Sequence, residues 1–104
     1  MFDFKKLEGF DWDKGNLEHV RRHGVNYKEC EQVFFNKPFL VNEDNAHSQI
    51  EERFEVLGRT RNERLLFVVF TFRGKTIRVV TARDQSKKER KQFSQPGGEI
   101  YEKT

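Results

Sequence analysis

The sequence contains almost none of the residues that build covalent or metal-held frameworks. Cys30 is the one cysteine in 104 residues, which excludes an internal disulfide and any zinc site built from several cysteines. No segment approaches the ~20 consecutive apolar residues of a membrane span, and the first residues lack the apolar stretch of a secretory signal peptide. The sequence therefore predicts a cytoplasmic protein, without membrane contact, that folds around a hydrophobic core.

Motifs that bind phosphate or activate a nucleophile are also missing. The chain has no P-loop, no G-x-G-x-x-G and no G-x-S-x-G. His19 and His23 have the i, i+4 spacing that can chelate zinc, but the sequence offers neither the glutamate of an H-E-x-x-H pattern nor a clear third ligand. We therefore expect no metal and no cofactor.

Charge, in contrast, is abundant and unevenly distributed. Charged residues make up 36% of the chain, and the formal net charge is +3. Residues 1–52 hold seven Lys or Arg and eleven Asp or Glu, whereas residues 53–91 hold twelve and four, so their net charges are −4 and +8. Such a separation in a small domain predicts a surface made for a polyanion. A solvated basic surface is the simpler alternative.

Helix signals stand at three places in the chain. Asp13 and Asn26 are placed to cap two consecutive helices, and Ser86 is placed to cap a third. Glu29 and Glu89 follow the second and third caps by three residues and complete capping boxes. We expect the first two helices to form a pair and the third helix to be short and strongly basic.

Strand signals occupy the middle of the chain. Residues 65–72 are apolar at nearly every position, which is typical of a strand buried on both faces. Residues 73–75 form a turn, and residues 76–83 resume as a second strand. Residues 39–41 and the alternating segment 52–59 supply further strands.

These elements predict an α+β fold. Two N-terminal helices pack on a three- to four-stranded antiparallel sheet, and a short basic C-terminal helix follows. Residues 1–94 form the single domain, of which the first nine are loosely ordered, and residues 95–104 form a flexible tail. Residues 10–13, which alternate aromatic and acidic side chains, read as a short edge strand or a docking segment.

The arginines of the last predicted strand are the main candidates for a functional role. Strict alternation places Arg83 on the face of Ile77 and Arg78 on the opposite face. An inward-facing arginine is costly unless it is paired, so an ion pair of Arg78 with Glu52 or Glu55 is the structural interpretation. A pocket for a phosphate is the functional one, because a planar guanidinium with five donors suits that ligand.

A basic face without a metal motif suits one reaction in particular. In RNA the 2′-hydroxyl can attack the neighbouring phosphate, so the protein needs only to neutralise the developing charge, accept one proton and return another. Arginine and lysine can do the first, and histidine or glutamate can do the others. His47, in a polar loop over residues 42–49, is one further candidate for the base.

Several segments, taken together, resemble one known family. Phe-Asp-Trp-Asp at 10–13, Arg-His-Gly-Val at 22–25 and Val-Phe-Phe at 33–35 resemble the N-terminal pattern of BrnT-type toxins of bacterial type II toxin–antitoxin systems. The second half is more similar still, and its matching segments are His47, 51–54, 58–59, 77–83 and 88–90. The resemblance runs from about residue 10 to residue 93.

The resemblance implies a RelE-like fold and a small endoribonuclease that inhibits translation. It also implies a BrnA-like antitoxin with a ribbon-helix-helix domain, which neutralises the toxin and alone contacts operator DNA. Motif positions correspond to these residues: Glu52, His23, Arg53, Arg78, Arg83, Lys88 and Arg90.

On this interpretation Arg78 and Arg83 bind the scissile phosphate, and Glu52 or His23 transfers protons. Trp12 stacks on a base or packs against the antitoxin. The residues expected to bind the RNA backbone are Arg53, Arg59, Lys87, Lys88, Arg90 and Lys91. The alternative is a non-catalytic nucleic-acid- or protein-binding module, which the same basic face would serve.

Overall fold

The computed structural model describes residues 3–44, 46, 51–95 and 99–101. Within these residues, the α-helices are α1 (Lys14–Arg22), α2 (Tyr27–Val33) and α3 (Lys87–Ser94), and a 3-10 helix covers Phe4–Lys6. The strands are β1 (Gly9–Phe10), β2 (Phe39–Glu43), β3 (Phe54–Arg59), β4 (Leu65–Arg73), β5 (Thr76–Asp84) and β6 (Glu99–Tyr101).

The strands form one mixed sheet in the order β1-β5-β4-β3-β2-β6. β1 pairs with β5 in parallel, and the other neighbours are antiparallel. The α+β class is confirmed, but the prediction of three or four antiparallel strands was wrong. The sheet gains two short edge strands, β1 and β6, and two or three residues are too few to show a strand pattern.

The C-terminal edge of the sheet lies beyond the predicted end of the domain at residue 94. β6 pairs with β2, and its residues belong to the segment 95–104 that the sequence assigns to a tail. The sheet therefore includes Glu99–Tyr101, while residues 96–98 and 102–104 lie outside the described residues. The single-domain boundary at residue 94 stays a prediction.

The helices begin where the capping patterns predict. Asp13, Asn26 and Ser86 are the N-caps of α1, α2 and α3, and each forms a capping box with the residue three positions later. Gly24 has a φ of +73° just after α1, the left-handed conformation that glycine adopts at a helix C-terminus. No helix in the described part of the chain is long and apolar enough to cross a membrane.

One hydrophobic core lies between α1 and α2 and one face of the sheet. Its central buried residues are Val20, Val25, Cys30, Val33, Val56, Leu66, Val68, Phe70, Ile77, Val79 and Ala82. Phe4 packs against one end of this core, with its ring centroid 5.3 Å from that of Phe39 and 6.4 Å from that of Phe70. The expectation that residues 1–9 are loosely ordered is thus wrong at Phe4, because that ring is held by aromatic contacts.

Gly58 allows α2 to approach β3 closely. A Cβ atom built at Gly58 would lie 2.6 Å from Cγ1 of Val33 and 3.4 Å from Cβ of Phe39. Since real carbon atoms do not approach to the first of these distances, the helix layer can reach the sheet only where this strand residue has no side chain.

Candidate active site on the sheet face opposite α1 and α2

β5 contains one residue more than the segment of β4 that pairs with it. Val69 pairs with Thr81 and Phe70 pairs with Val79, so Val80 has no partner of its own in the ladder. An extra residue of this kind is a β-bulge, which reverses the alternation of all residues that follow it.

The bulge places Arg78 and Arg83 on the same face of the sheet. Before the bulge, Ile77 faces the core and Arg78 faces away; after it, the buried Ala82 faces the core, and Thr81 and Arg83 face away. The prediction that the two arginines lie on opposite faces was therefore wrong, because it assumed unbroken alternation.

We call this surface the arginine face. Cross-strand pairing adds residues of β3 and β4 to those of β5, since paired residues lie on the same side of a sheet. The residues that define the arginine face are Glu55, Leu57, Phe67, Val69, Thr71, Arg78, Thr81 and Arg83.

Arg83 is held on three sides. Its Nη1 and Nη2 atoms donate to the two carboxylate oxygens of Glu89 at 2.8 and 2.9 Å, and Nη1 also donates to the carbonyl oxygen of Asp84 at 3.1 Å. The guanidinium carbon lies 4.1 Å from the centroid of the Phe67 ring, within cation–π distance. The side chain is still 41% exposed, so a ligand can reach it.

The contact between Arg83 and Glu89 favours the charged form of both groups. Burial of Glu89 raises the pKa of its carboxyl group, but the hydrogen bonds from Arg83 and from the backbone N–H of Ser86 outweigh it and hold that pKa below its usual range. The same contact with Glu89 raises the pKa of Arg83, with Glu55 adding a smaller electrostatic contribution. Arg83 therefore keeps its charge in any state of the site.

Arg78 is paired with the segment that follows β1. Its Nη2 atom lies 2.9 Å from Oδ2 of Asp13, and its Nη1 atom lies 3.5 Å from Oδ2 of Asp11. The prediction that Glu52 or Glu55 is the partner was wrong, because the pairing of β1 with β5 brings the two carboxylates that follow β1 to Arg78. The backbone N–H of Asn16 and the guanidinium of Arg78 lower the pKa of Asp13.

Asn16 fixes this acidic segment against β5. Its side-chain amide donates to the carbonyl oxygens of Asp11 at 3.0 Å and of Val79 at 2.9 Å. Its side-chain oxygen accepts the backbone N–H of Asp13 at 2.8 Å. The buried Asn16 thus links the start of α1 to Val79, the part of β5 that lies past the residues paired with β1.

Glu55 and Thr81 are residues of this face that the sequence did not single out as a site. Glu55 pairs with Val69, which in turn pairs with Thr81, so a carboxylate and a hydroxyl lie in one row beside Arg83. Alternation already placed Glu55 on the outward side of β3. The missing information was the register that brings β3, β4 and β5 into line.

The predicted proton-transfer residues lie away from Arg83. Glu52 is exposed ahead of β3, and its carbonyl oxygen accepts the hydroxyl of Thr71 at 2.6 Å. His23 is the C-cap of α1 and lies in the helix layer, with its ring centroid 5.9 Å from that of His19. The structure therefore does not bring His23 to the arginine face. His47 lies outside the described residues.

The predicted RNA-binding residues fall into two groups. Lys87, Lys88, Arg90 and Lys91 are exposed on α3, where Arg90 also donates to the carbonyl oxygen of Gln85 at 2.9 Å. Arg53, which directly precedes β3, and Arg59 are half-buried.

Arg59 and Trp12, two further predicted site residues, each contact other parts of the chain through their side chains. Arg59 pairs with Glu63 at 3.2 Å and donates to the carbonyl oxygen of Lys37 at 3.3 Å. Trp12 is half-buried and donates its indole N–H to Oε2 of Glu31 at 2.9 Å, so only part of its ring is open to a base or a partner protein.

Ion pairs connect the acidic and basic halves of the sequence. Pairs of this kind among the described residues include Arg78 with Asp11 and Asp13, Arg64 with Glu29, Arg73 with Glu51, and Lys75 with Glu8. These pairs neutralise part of the charge separation along the sequence. Four exposed cations, Lys87, Lys88, Arg90 and Lys91, lie close together on α3.

The described residues form neither a cluster of metal-binding side chains nor a reactive thiol. No three His, Cys, Asp or Glu side chains in this part of the chain are grouped so that they could hold a metal ion. Burial raises the pKa of the Cys30 thiol to about 12, so the thiol stays protonated and unreactive.

A comparison with protein families is consistent with this geometry. The family model described as "Ribonuclease toxin, BrnT, of type II toxin-antitoxin system" matches residues 12–89, and no curated protein matches the chain. The matched region begins at Trp12 and ends at Glu89, so it contains Arg78, Arg83 and the carboxylate that binds Arg83. The chain belongs to the BrnT family of ribonuclease toxins of type II toxin–antitoxin systems.

Proposed function

We propose that this toxin is a metal-independent endoribonuclease that inhibits translation. The 2′-hydroxyl of the RNA attacks the adjacent phosphorus atom, the bond to the 5′-oxygen breaks, and a 2′,3′-cyclic phosphate forms. The observation that carries the proposal is the placement of Arg78 and Arg83 on one face of β5, beside Glu55 and Thr81.

Arg83 binds the scissile phosphate and stabilises the charge that develops on it. A fixed guanidinium is well suited to this role, because preorganised donors stabilise a transition state without reorganising during the reaction. Arg78, on the same face but more buried, contacts a neighbouring phosphate and fixes the register of the RNA.

Glu55 accepts the proton of the 2′-hydroxyl. It is a carboxylate of the arginine face, close enough to Arg83 to influence its pKa after Glu89. We assign the role of general base to Glu55 in place of the sequence candidates Glu52 and His23, since a base must lie within hydrogen-bond reach of the proton that it removes.

The exposed cations of α3 hold the RNA strand on either side of the cleaved bond. Lys87, Lys88 and Lys91 lie next to Arg83 along the chain, and contacts of lysine with phosphate add affinity without reading sequence.

The antitoxin is a BrnA-like ribbon-helix-helix protein that covers the arginine face. An acidic segment of that protein would compete with RNA for the same cations, which explains neutralisation without a separate inhibitory site. Operator DNA is contacted only by the antitoxin.

The test is cleavage of end-labelled RNA in EDTA, with and without ribosomes. Wild-type protein cleaves and leaves a cyclic phosphate end, whereas Arg83→Ala and Arg78→Ala lose activity and still unfold cooperatively in urea. Arg61→Ala is the matched control, because Arg61 is an exposed arginine outside the arginine face.

Growth of cells in which the toxin alone is induced gives a second measurement. Wild-type protein arrests growth, and folded Arg83→Ala protein does not. RNA that stays intact with and without ribosomes, together with normal growth after induction, would contradict the proposal. It would favour the alternative, a non-catalytic binding module, in which the ion pairs of Arg78 and Arg83 are purely structural.

A further inference from the structure

Glu89 binds two partners at once. Its Oε1 atom accepts the backbone N–H of Ser86 at 2.8 Å and Nη1 of Arg83 at 2.8 Å, while Oε2 accepts Nη2 of Arg83 at 2.9 Å. Its side chain is only 18% exposed. One carboxylate therefore joins the start of α3 to the arginine that the proposed reaction needs.

The contacts of Arg83 leave one edge of its guanidinium for a ligand. A guanidinium has five N–H donors, and those of Nη1 point to Glu89 and to the carbonyl oxygen of Asp84. One donor of Nη2 points to Glu89. Among the described residues, the Nε–H and the second N–H of Nη2 have no acceptor, and these two lie side by side on one edge. That edge has the geometry that binds two oxygens of a phosphate.

We propose that Glu89 is a positioning residue of the ribonuclease reaction, which holds Arg83 end-on so that its Nε–Nη2 edge faces the scissile phosphate. This inference rests on the proposed function of Arg83. Glu89 itself does not touch the RNA.

The contacts around Arg83 and Glu89 orient the guanidinium group and do not only neutralise its charge. The ring of Phe67 lies under the guanidinium at 4.1 Å, so Glu89 fixes the rotation in the plane and Phe67 fixes the plane itself. An arginine held in this way loses little further side-chain freedom when the phosphate binds, and this preorganisation favours the reaction.

The opposing effects of the Glu89 charge make the proposal testable. The carboxylate weakens the attraction of RNA to this face, while it orients the group that stabilises the transition state. Removing the charge should therefore separate kcat from KM, which a loss of folding would not do.

The test compares Glu89→Gln with Ser86→Ala. Glutamine can still accept the N–H of Ser86, but its amide places a donor against the guanidinium. Ser86→Ala removes the hydroxyl that accepts the N–H of Glu89 at 3.2 Å and leaves the contact of Glu89 with Arg83 intact. Glu89→Gln should lower kcat by about 10- to 100-fold with an equal or lower KM for RNA, and Ser86→Ala should keep the wild-type kcat.

A double-mutant cycle with Arg83→Ala completes the experiment. If Glu89 acts through Arg83, Glu89→Gln does not lower further the residual kcat of the Arg83→Ala protein, which is measured with the enzyme in excess over RNA. Equal losses for Glu89→Gln and Ser86→Ala, or a further loss in the double variant, would overturn the inference while the role of Arg83 stands. An unchanged rate for Arg83→Ala would overturn the proposed role of Arg83, and this inference with it.

Discussion

The side-chain amide of Asn16 donates to the carbonyl oxygen of Val79 at 2.9 Å, directly before the extra residue of β5. β1 ends at Phe10, which pairs with Ile77, and so does not reach Val79. The side chain of Asn16 therefore gives Val79 the hydrogen bond that a neighbouring strand would otherwise supply. The conformation of β5 at the bulge, and with it the orientation of Arg83, depends in part on a residue of α1 that is distant in sequence.

Replacing Asn16 with aspartate should destabilise the protein. The change removes the donors to the carbonyl oxygens of Asp11 and Val79 and sets a carboxylate against both. We expect the free energy of unfolding to fall by about 2 kcal/mol, the cost of leaving such buried acceptors unsatisfied. Urea denaturation measures this loss of stability, and Asn62→Asp is the control, because Asn62 is exposed. Equal stability of both variants would show that these hydrogen bonds do not hold the edge.

Replacing Gly58 with alanine should weaken the contact between α2 and β3. The added Cβ would lie 2.6 Å from Cγ1 of Val33, and overpacking of this kind costs about 1–3 kcal/mol. The double variant Gly58→Ala, Val33→Ala should lose less stability than the sum of the single variants, because the second change removes the clashing methyl group. Strict additivity in urea denaturation would contradict this origin of the effect.

Acid should destabilise the fold through its ion-paired carboxylates. Arg64 lowers the pKa of Asp84, and hydrogen bonds from Arg83 and Ser86 lower that of Glu89 against the effect of burial. Groups with a lowered folded-state pKa stabilise above their unfolded pKa of about 4, and this stabilisation is lost as pH falls through the folded value.

The variant Asp84→Asn separates one of these contributions, because it removes the carboxylate of the Arg64–Asp84 pair and leaves the pair of Arg64 with Glu29 in place. At pH 7 it should lose about 1 kcal/mol through the Asp84 pair, a small value because Asp84 is largely exposed and water screens the contact. The difference from wild type should shrink between pH 5 and pH 3. A difference in urea denaturation that stays constant with pH would assign the loss to packing.

The lysines of α3 should control the salt dependence of RNA binding. Each lysine–phosphate contact to a single strand contributes about 0.7 to the slope of log K against log salt. Lys88→Gln with Lys91→Gln should therefore reduce the slope by about 1.4. Lys5→Gln with Lys6→Gln makes the same change of charge on the 3-10 helix and should leave the slope unaltered. Equal effects in fluorescence titrations would point to net charge alone.

Local signals explain what could be predicted from the sequence. Asp13, Asn26 and Ser86 marked the starts of the three helices because capping depends on a few neighbouring residues. The apolar run in β4 marked the central strand for the same reason. Elements that depend on a distant partner gave weaker signals. The alternation over residues 10–13 indicated an edge strand close to β1, which covers Gly9–Phe10, and β6 gave no signal of its own.

The bulge was the main obstacle at the candidate site. Unbroken alternation would have set the charged Arg83 among the apolar residues that share the face of Ile77, and this conflict is itself a sign of an irregular strand. The partners of Arg78 could not be predicted, since they depend on the parallel pairing of β1 with β5. Local patterns thus gave the residue types of the site but not their arrangement.

Each of the three helices begins with a carboxylate that caps the helix and also binds an arginine: Asp13 binds Arg78, Glu29 binds Arg64, and Glu89 binds Arg83. Asp11 and Asp84 are second carboxylate partners of Arg78 and Arg64, so a change at Asp13 or Glu29 leaves each of these arginines an ion pair. Neutralising Glu89 removes the charge from the two-point contact with Arg83, and glutamine can still accept the N–H of Ser86 at the start of α3. On the proposed role of Arg83, Glu89→Gln is therefore a route to a folded toxin of low activity that can be produced without its antitoxin.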